Sequence, residues 1–385
     1  MLKLADLIRL FIVFIGLSLF SVGIASATPP VDYLEVDGPQ SGLDLSEHIS
    51  YYLDPEWDKN LDDMVGALAD KFKPIETTKP DFGYIDSKVW LRLKLKNITQ
   101  DNDDWRLYVR ENFLQYYDVY VVREDGTVNH IESHTPSTVF SERTIDYPEL
   151  VSPITFAPDE RITLFISYWS GGSSNAALSF ETLDSFSTIA LRRTSKYYIS
   201  YGMMAILLVA SFLALLIFRL EVLLSYIGCV GVTLLYLVHI DGVAFQFIWP
   251  HFPRFNSYFS IIIGAFFVAV TYNFARVFLQ TKIYHPRIDK LLFFLNFTSL
   301  FIICIGAVVD PQTTKKAIIL MIFIAILSGT ITGILASFKR FKQVRFYLFA
   351  WVCGVLTAGL MNLRHIFGID IGPVSYTHLT LPTKA

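Results

Sequence analysis

Cysteine is scarce. The chain has three, Cys229, Cys304 and Cys353, and all lie inside apolar stretches. The soluble block before those stretches has none, so no disulfide framework is available and that block must fold on its own core. Charge is also sparse: 17% of residues are Asp, Glu, Lys or Arg, against 53% hydrophobic, and mean hydropathy is +0.44. That excludes an ordinary soluble protein. No nucleophile elbow, phosphate-binding glycine loop or HExxH occurs, which leaves no visible catalytic set. His130 and His134 are four apart, but no third ligand stands near in the sequence, so no zinc site is expected.

Six long apolar stretches follow the soluble block. They are read as membrane spans at residues 197–218, 222–240, 257–279, 291–309, 317–338 and 346–367, each near the length that crosses a bilayer. Residues 1–27 read as a signal peptide. Lys3 and Arg9 precede an apolar core, and Ala25-Ser26-Ala27 is a small-x-small cleavage site. The alternative is an uncleaved first membrane helix.

The net charge of −3 hides an asymmetry. Residues 28–196 carry 29 acidic and 16 basic side chains, a balance of −13, while the rest carries 6 and 16, a balance of +10. Nucleic acid is thereby excluded as a partner of the outer block, which would repel phosphate. With the N-terminal block outside, Arg219, Lys282, Arg287, Lys290, Lys339, Arg340, Lys342 and Arg345 fall in cytoplasmic connections. Only Arg254, Lys315 and Lys316 fall in outer ones, as the positive-inside rule requires. Arg192, Arg193 and Lys196, just outside the first span, run locally against that rule.

Residues 28–184 read as an exported β domain, and 185–196 as a short linker into the membrane domain at 197–373. Val89–Lys96 alternates apolar and polar side chains, and further strands are expected at 105–110, 116–123, 154–156, 161–169 and 177–182. Many short strands with turn signals indicate a β-sandwich of jelly-roll type. One helical pattern stands out, at residues 61–71. Alternation sends Leu91, Leu93 and Leu95 to the core and Trp90 and Arg92 to the other face. Tyr108, Arg110 and Tyr120 from the next strands can share that face. Aromatic plates beside arginines suit a sugar ring or a carboxylate, so these five residues form the expected ligand surface. The alternative is a solvated sheet face with tyrosines over its edges.

In the bundle, Asp241 and Arg364 stand at outer ends of the second and sixth spans and are expected to pair and carry the signal. Independent solvation is the alternative. Arg276 is expected to snorkel at the inner end of the third span.

The stretch Phe82-Gly83-Tyr84-Ile85-Asp86-Ser87-Lys88-Val89-Trp90-Leu91-Arg92-Leu93-Lys94-Leu95-Lys96-Asn97 resembles the exported sensor of bacterial seven-transmembrane receptors with diverse intracellular signalling modules, 7TMR-DISM, in its extracellular-2 form. The outer loop Asp241–Pro250 and the third-span end Phe274–Leu279 resemble that family too. The resemblance implies a jelly-roll, carbohydrate-binding-like sensor, a seven-helix bundle and a cytoplasmic output such as a diguanylate cyclase or a histidine kinase. The chain departs from it in showing six spans and no output module. Residues 374–385 read as a translated sequencing adapter, with native sequence expected to end near Pro373 and a seventh span lost. A genuine polar outer tail is the alternative.

The expected function is that of a receptor in the bacterial inner membrane, with the N-terminal domain periplasmic. The expected partners are a small-molecule periplasmic ligand, the lipid bilayer and a second copy of the chain in a homodimer. No cofactor is expected. A transporter or channel subunit with an accessory binding domain is the runner-up.

Overall fold

The structure, a computed structural model, describes residues 33–37, 45, 48–75, 82–83, 85–100, 104–109, 111–112, 114–172, 174, 177–306, 311–338 and 344–352. An antiparallel, sheet-rich region comes first and a helical region follows. The strands are β1 (Leu34–Val36), β2 (Ile49–Asp54), β3 (Lys73–Pro74), β4 (Lys88–Asn97), β5 (Asp104–Val109), β6 (Leu114–Arg123), β7 (Val128–His134), β8 (Leu150–Thr155), β9 (Arg161–Ser170) and β10 (Leu178–Thr182).

Two sheets result. The larger runs β3-β2-β4-β9-β6-β7, and β1 joins β4 in parallel beyond the end of β2. The smaller runs β10-β5-β8. One core draws on both: Leu91, Leu93 and Leu95 of β4 and Leu164 and Ile166 of β9 cluster with Trp105 and Leu107 of β5 and Phe180 of β10. Burying one face of each sheet against the other is how a half-apolar strand pattern leaves water. The alternation read along residues 89–95 is therefore the core signal it was expected to be. Strands β1, β2, β3 and β7 lie in stretches where the sequence reading placed none. β1 and β3 are short, β2 does not alternate in burial and β7 is mostly exposed, so none carries a strong period-two pattern.

The helical pattern at 61–71 resolves into α1 (Leu61–Val65) and a 3₁₀ turn at Ala69–Lys71. Asn60 and Asp63 close a reciprocal capping box at its start.

Next come α2 (Leu183–Phe218), α3 (Glu221–Ile240), α4 (Val243–Phe247), α5 (Pro253–Phe278), α6 (Thr281–Tyr284), α7 (Pro286–Gly306) and α8 (Pro311–Ser337). A further helical stretch covers residues 344–352. Five helices among the described residues are long and apolar enough to cross a membrane. The sixth expected span, 346–367, lies mostly outside the described residues, as does the 374–385 tail.

Helix α5 packs against α3, α7 and α8. Its small residues Ala265, Ala269 and Ala275 are buried and let neighbouring helices approach. By contrast Ile206, Phe212 and Ile217 on α2 and Phe293 and Phe297 on α7 stand exposed. Such side chains belong against acyl chains, so the protein is a multi-pass membrane protein.

Residues 185–196, read as a linker, are helix. Thr182, the last residue of β10, caps α2 through its side chain to the Ser185 amide, and the helix continues without a break into the first span.

Candidate functional site

The five residues expected to bind ligand do not form one open face. Trp90 is 1% exposed and packs under Met64, Leu68 and Phe72 of the α1 excursion. Arg92 holds that excursion down: Nη1 donates to the Ala69 carbonyl at 2.7 Å, Nε to Ser50 Oγ at 3.2 Å, and the guanidinium lies 4.4 Å from the Phe72 ring. Burial pushes its pKa down. Alternation assigned the right face, but residues 61–72 cover it. Their apolar spacing was visible; where the excursion would dock was not. Tyr120 is part-buried and sandwiched between Trp90 at 6.3 Å and the His130 ring at 4.5 Å. Tyr108 belongs to the smaller sheet, where β5 pairs with β10 and β8 and never with β6. Arg110 lies outside the described residues.

Tyr108 leads instead to the junction with the bundle. Its hydroxyl donates to Glu149 Oε2, and Arg193 Nη2 on α2 donates to Glu149 Oε1 at 2.8 Å. The Arg193 guanidinium also lies 5.6 Å from the Tyr108 ring. Tyr108, Tyr147 and Phe186 meet edge to face with centroids 5.4–6.1 Å apart. Burial, with the Glu149 carboxylate adding to it, pushes the Tyr108 phenol far above its ordinary value and Tyr147 up to about 12. Both phenols therefore stay protonated, and that of Tyr108 acts as a donor to Glu149.

Phe186, Arg193, Tyr197 and Tyr201 recur at spacings of seven and four, which puts them on one face of α2. Arg193 also reaches the Tyr197 hydroxyl at 3.0 Å, and one turn on Tyr201 donates to Asp241 Oδ2 at 2.6 Å. Asp241 thus has a partner on α2. Its expected partner, Arg364, lies outside the described residues. The local positive charge that ran against topology at Arg193 is spent on Glu149.

A second contact runs through the outer loop after α3. Phe140 N–H donates to the Pro250 carbonyl at 2.9 Å, and its ring meets Phe245 of α4 at 5.5 Å. The Arg143 guanidinium lies 4.7 Å from Phe140 and 5.5 Å from Phe245, and Gln246 Nε2 donates to Asp146 Oδ1 at 2.7 Å. Asn112 Nδ2 donates to the Ile240 carbonyl at 2.8 Å. Nothing in the sequence singled out Glu149, Phe186, Asp146 or Asn112, because each is half of a contact whose other half is far along the chain.

A family model for "7TMR-DISM extracellular 2" matches residues 46–182, and one for "7TM diverse intracellular signalling" (7TMR-DISM 7TM) matches residues 194–382. The chain belongs to the 7TMR-DISM family. No curated protein matches it. The second match reaches past 373 into the stretch read as adapter. Between the two matches lies 183–193, the start of α2, which carries Phe186 and Arg193. In this 7TMR-DISM protein the contact of Phe186 and Arg193 with the sensor comes from the segment between the two matches, while the outer-loop contact lies within the second.

At the inner end of the bundle, Arg276 does not snorkel freely. Its Nε and Nη2 grip Asp289 Oδ1 and Oδ2 at 2.9 and 3.1 Å, and Thr281 Oγ1 donates to the same carboxylate at 2.7 Å. This bidentate pair ties α5 to α7. Asn273 Nδ2 donates to Ser225 Oγ on α3 at 2.6 Å.

Two cavities stand out. A groove of about 590 Å³ opens among Thr233, Phe267, Phe278, Ile326 and Trp351. Its lining is nearly all apolar and at membrane depth, so lipid chains can fill it without stranding a polar group. The other is a small polar cleft at the sensor–bundle junction.

Proposed function

We propose that this 7TMR-DISM chain is a receptor of the bacterial inner membrane. Its periplasmic sheet domain senses a small carbohydrate or carboxylate, and its helix bundle passes the event to a cytoplasmic output module. The observation that carries this reading is the unbroken helix from the Thr182 cap to Phe218, fastened to the sensor by Arg193 and Glu149. A rigid helix transmits a displacement that a flexible tether would lose.

The two sheets sharing one core support a jelly-roll-like sandwich as the sensing unit. Ligand binding does work on the bundle only through its different affinity for two arrangements of the junction. The family's signalling role and the acidic outer domain over a basic membrane half support the orientation. A homodimer is the assembly we expect to carry the output.

The test uses the full chain in lipid nanodiscs. A panel of sugars and carboxylates is screened by thermal shift. For any binder, hydrogen exchange is followed in the cytoplasmic connection at 279–286. Binding should change exchange there, and a Gly/Ser insertion after Ile189 should abolish that change while binding persists. A binder that leaves exchange beyond the membrane untouched refutes the coupling. Ligand flux in proteoliposomes would move the assignment to a transporter.

A further inference from the structure

The loop that holds the sensor has a second side. Val243, Ala244 and Phe245 are buried, with the Phe245 ring against Phe140, and Gln246 donates to Asp146 of the sensor. The residues that follow turn the other way. Phe247 is 63% exposed, Ile248 57%, Phe252 64% and Phe255 42%. Four large apolar side chains bared within nine residues mark a surface that something apolar covers.

The position of the patch decides what covers it. Helix α3 ends at Ile240 and α5 begins at Pro253, so the loop lies where two membrane-crossing helices end. The 26 residues of α5 make roughly 39 Å of helix, against roughly 30 Å of hydrocarbon, so its end turns reach the headgroup layer. Phe255 and Phe266 are three helical turns apart and exposed on one face of α5. The patch therefore continues a face that the bundle turns to lipid, and lipid reaches it without any other partner. His251 and Arg254, both exposed, stand among the rings, and Trp249 Nε1 is held by Asn256 Oδ1 at 2.8 Å. Aromatic rings, a tryptophan and a cation in one short stretch suit a membrane–water boundary, where rings enter the acyl layer and the arginine meets lipid phosphate.

We propose that residues 247–255 form a foot that seats in the headgroup layer of the bilayer beneath the sensor, with phospholipid as its direct partner. Gln246 and Phe247 are neighbours, so one side of the loop grips the sensor while the other grips the membrane surface. The Pro250 carbonyl that accepts from Phe140 N–H lies between Ile248 and Phe252 in the chain. Losing the lipid contact therefore loosens the sensor's hold on the bundle. The foot goes beyond the receptor reading and needs only that the bundle lies in a membrane.

The test uses the full chain in phospholipid nanodiscs with three photo-activated diazirine probes. One lipid carries the diazirine at the top of its acyl chain, a second at the chain end, and a third probe is water-soluble. The chain-top lipid should label 247–255 more than the chain-end lipid does. The water-soluble probe should label that stretch at least fivefold less than the exposed sensor residues 124–130. Equal aqueous labelling of the two stretches, or cross-links from 247–255 to a second copy in place of lipid, overturns the foot. Phe247→Ser combined with Phe252→Ser should cut lipid labelling at least fivefold. It should also speed amide exchange at 139–143 at least tenfold, with exchange in α7 unchanged. Phe247→Leu combined with Phe252→Leu keeps the patch apolar and should restore both readings. A serine pair that exchanges like the parent at 139–143, or a leucine pair as loose as the serine pair, overturns the link between the lipid seat and the sensor.

Discussion

Arg193 on the first membrane helix donates to Glu149 of the sensor sheets at 2.8 Å, and Glu149 is only 4% exposed. The same carboxylate accepts the Tyr108 hydroxyl, so one buried charge is shared between a strand and a helix that leads into the bilayer. Removing either partner leaves an unmatched group in a poorly solvated place.

Arg193→Leu should therefore destabilise the docked sensor by about 3 kcal/mol, because Glu149 is left as an uncompensated buried charge. Adding Glu149→Gln to Arg193→Leu should recover part of that loss. Hydrogen exchange at 183–193 measures both. If the double variant is no better protected than Arg193→Leu alone, the pair does not hold the junction.

Gly242 turns the chain at the outer end of α3 with φ +78°, and a Cβ there would lie 2.7 Å from the Pro148 carbonyl oxygen of the sensor. Gly242→Ala combines left-handed strain with a clash against backbone. It should cost about 1–3 kcal/mol and loosen the sensor from the bundle. A thermal unfolding curve like the parent's would contradict this close approach.

Trp90 distinguishes a core role from a ligand platform. Buried beneath Met64 and Phe72, it should cost about 3–5 kcal/mol when changed to Ala. An exposed platform would lose binding and keep its stability. Chemical denaturation of the parent and of Trp90→Ala separates the two.

His134 makes the junction sensitive to acid. Burial, aided by the Arg143 charge, pulls its pKa from 6.5 down to about 3. The folded chain keeps this ring neutral while the unfolded chain protonates it below about pH 6.5, so the unfolded state binds more protons. Stability should then fall as pH drops from about 6.5 toward 3, by up to ~1.4 kcal/mol per pH unit from this group. The difference between parent and His134→Gln across that range isolates the contribution; parallel curves would mean that His134 carries none of it.

Much of the architecture was legible along the chain. Length and hydropathy place the spans, because a helix crossing hydrocarbon must satisfy its own backbone and cover itself with apolar side chains. The period of two in residues 89–95 marks the core face of β4, since successive side chains point to opposite sides of a sheet. The family resemblance at 82–97 and 241–250 was likewise a local signal.

What covers a face, and what meets across a junction, were not local. Trp90 and Arg92 were placed on the correct side of their strand, yet residues 61–72 fold over that side. Tyr108 was grouped with Tyr120, yet β5 joins a different sheet. Arg276 found Asp289 and Asp241 found Tyr201, pairings that depend on which helices are neighbours. Sequence by itself determined the order of sheet-rich domain and membrane helices and the apolar pattern of each element, which follow from backbone hydrogen bonding and solvent preference within one segment. Tertiary structure alone decided that Glu149 meets Arg193 and that His134, Arg143 and Lys315 line one cleft. Such contacts join residues far apart in the chain, and their energies depend on distance and burial, which exist only once the chain is folded.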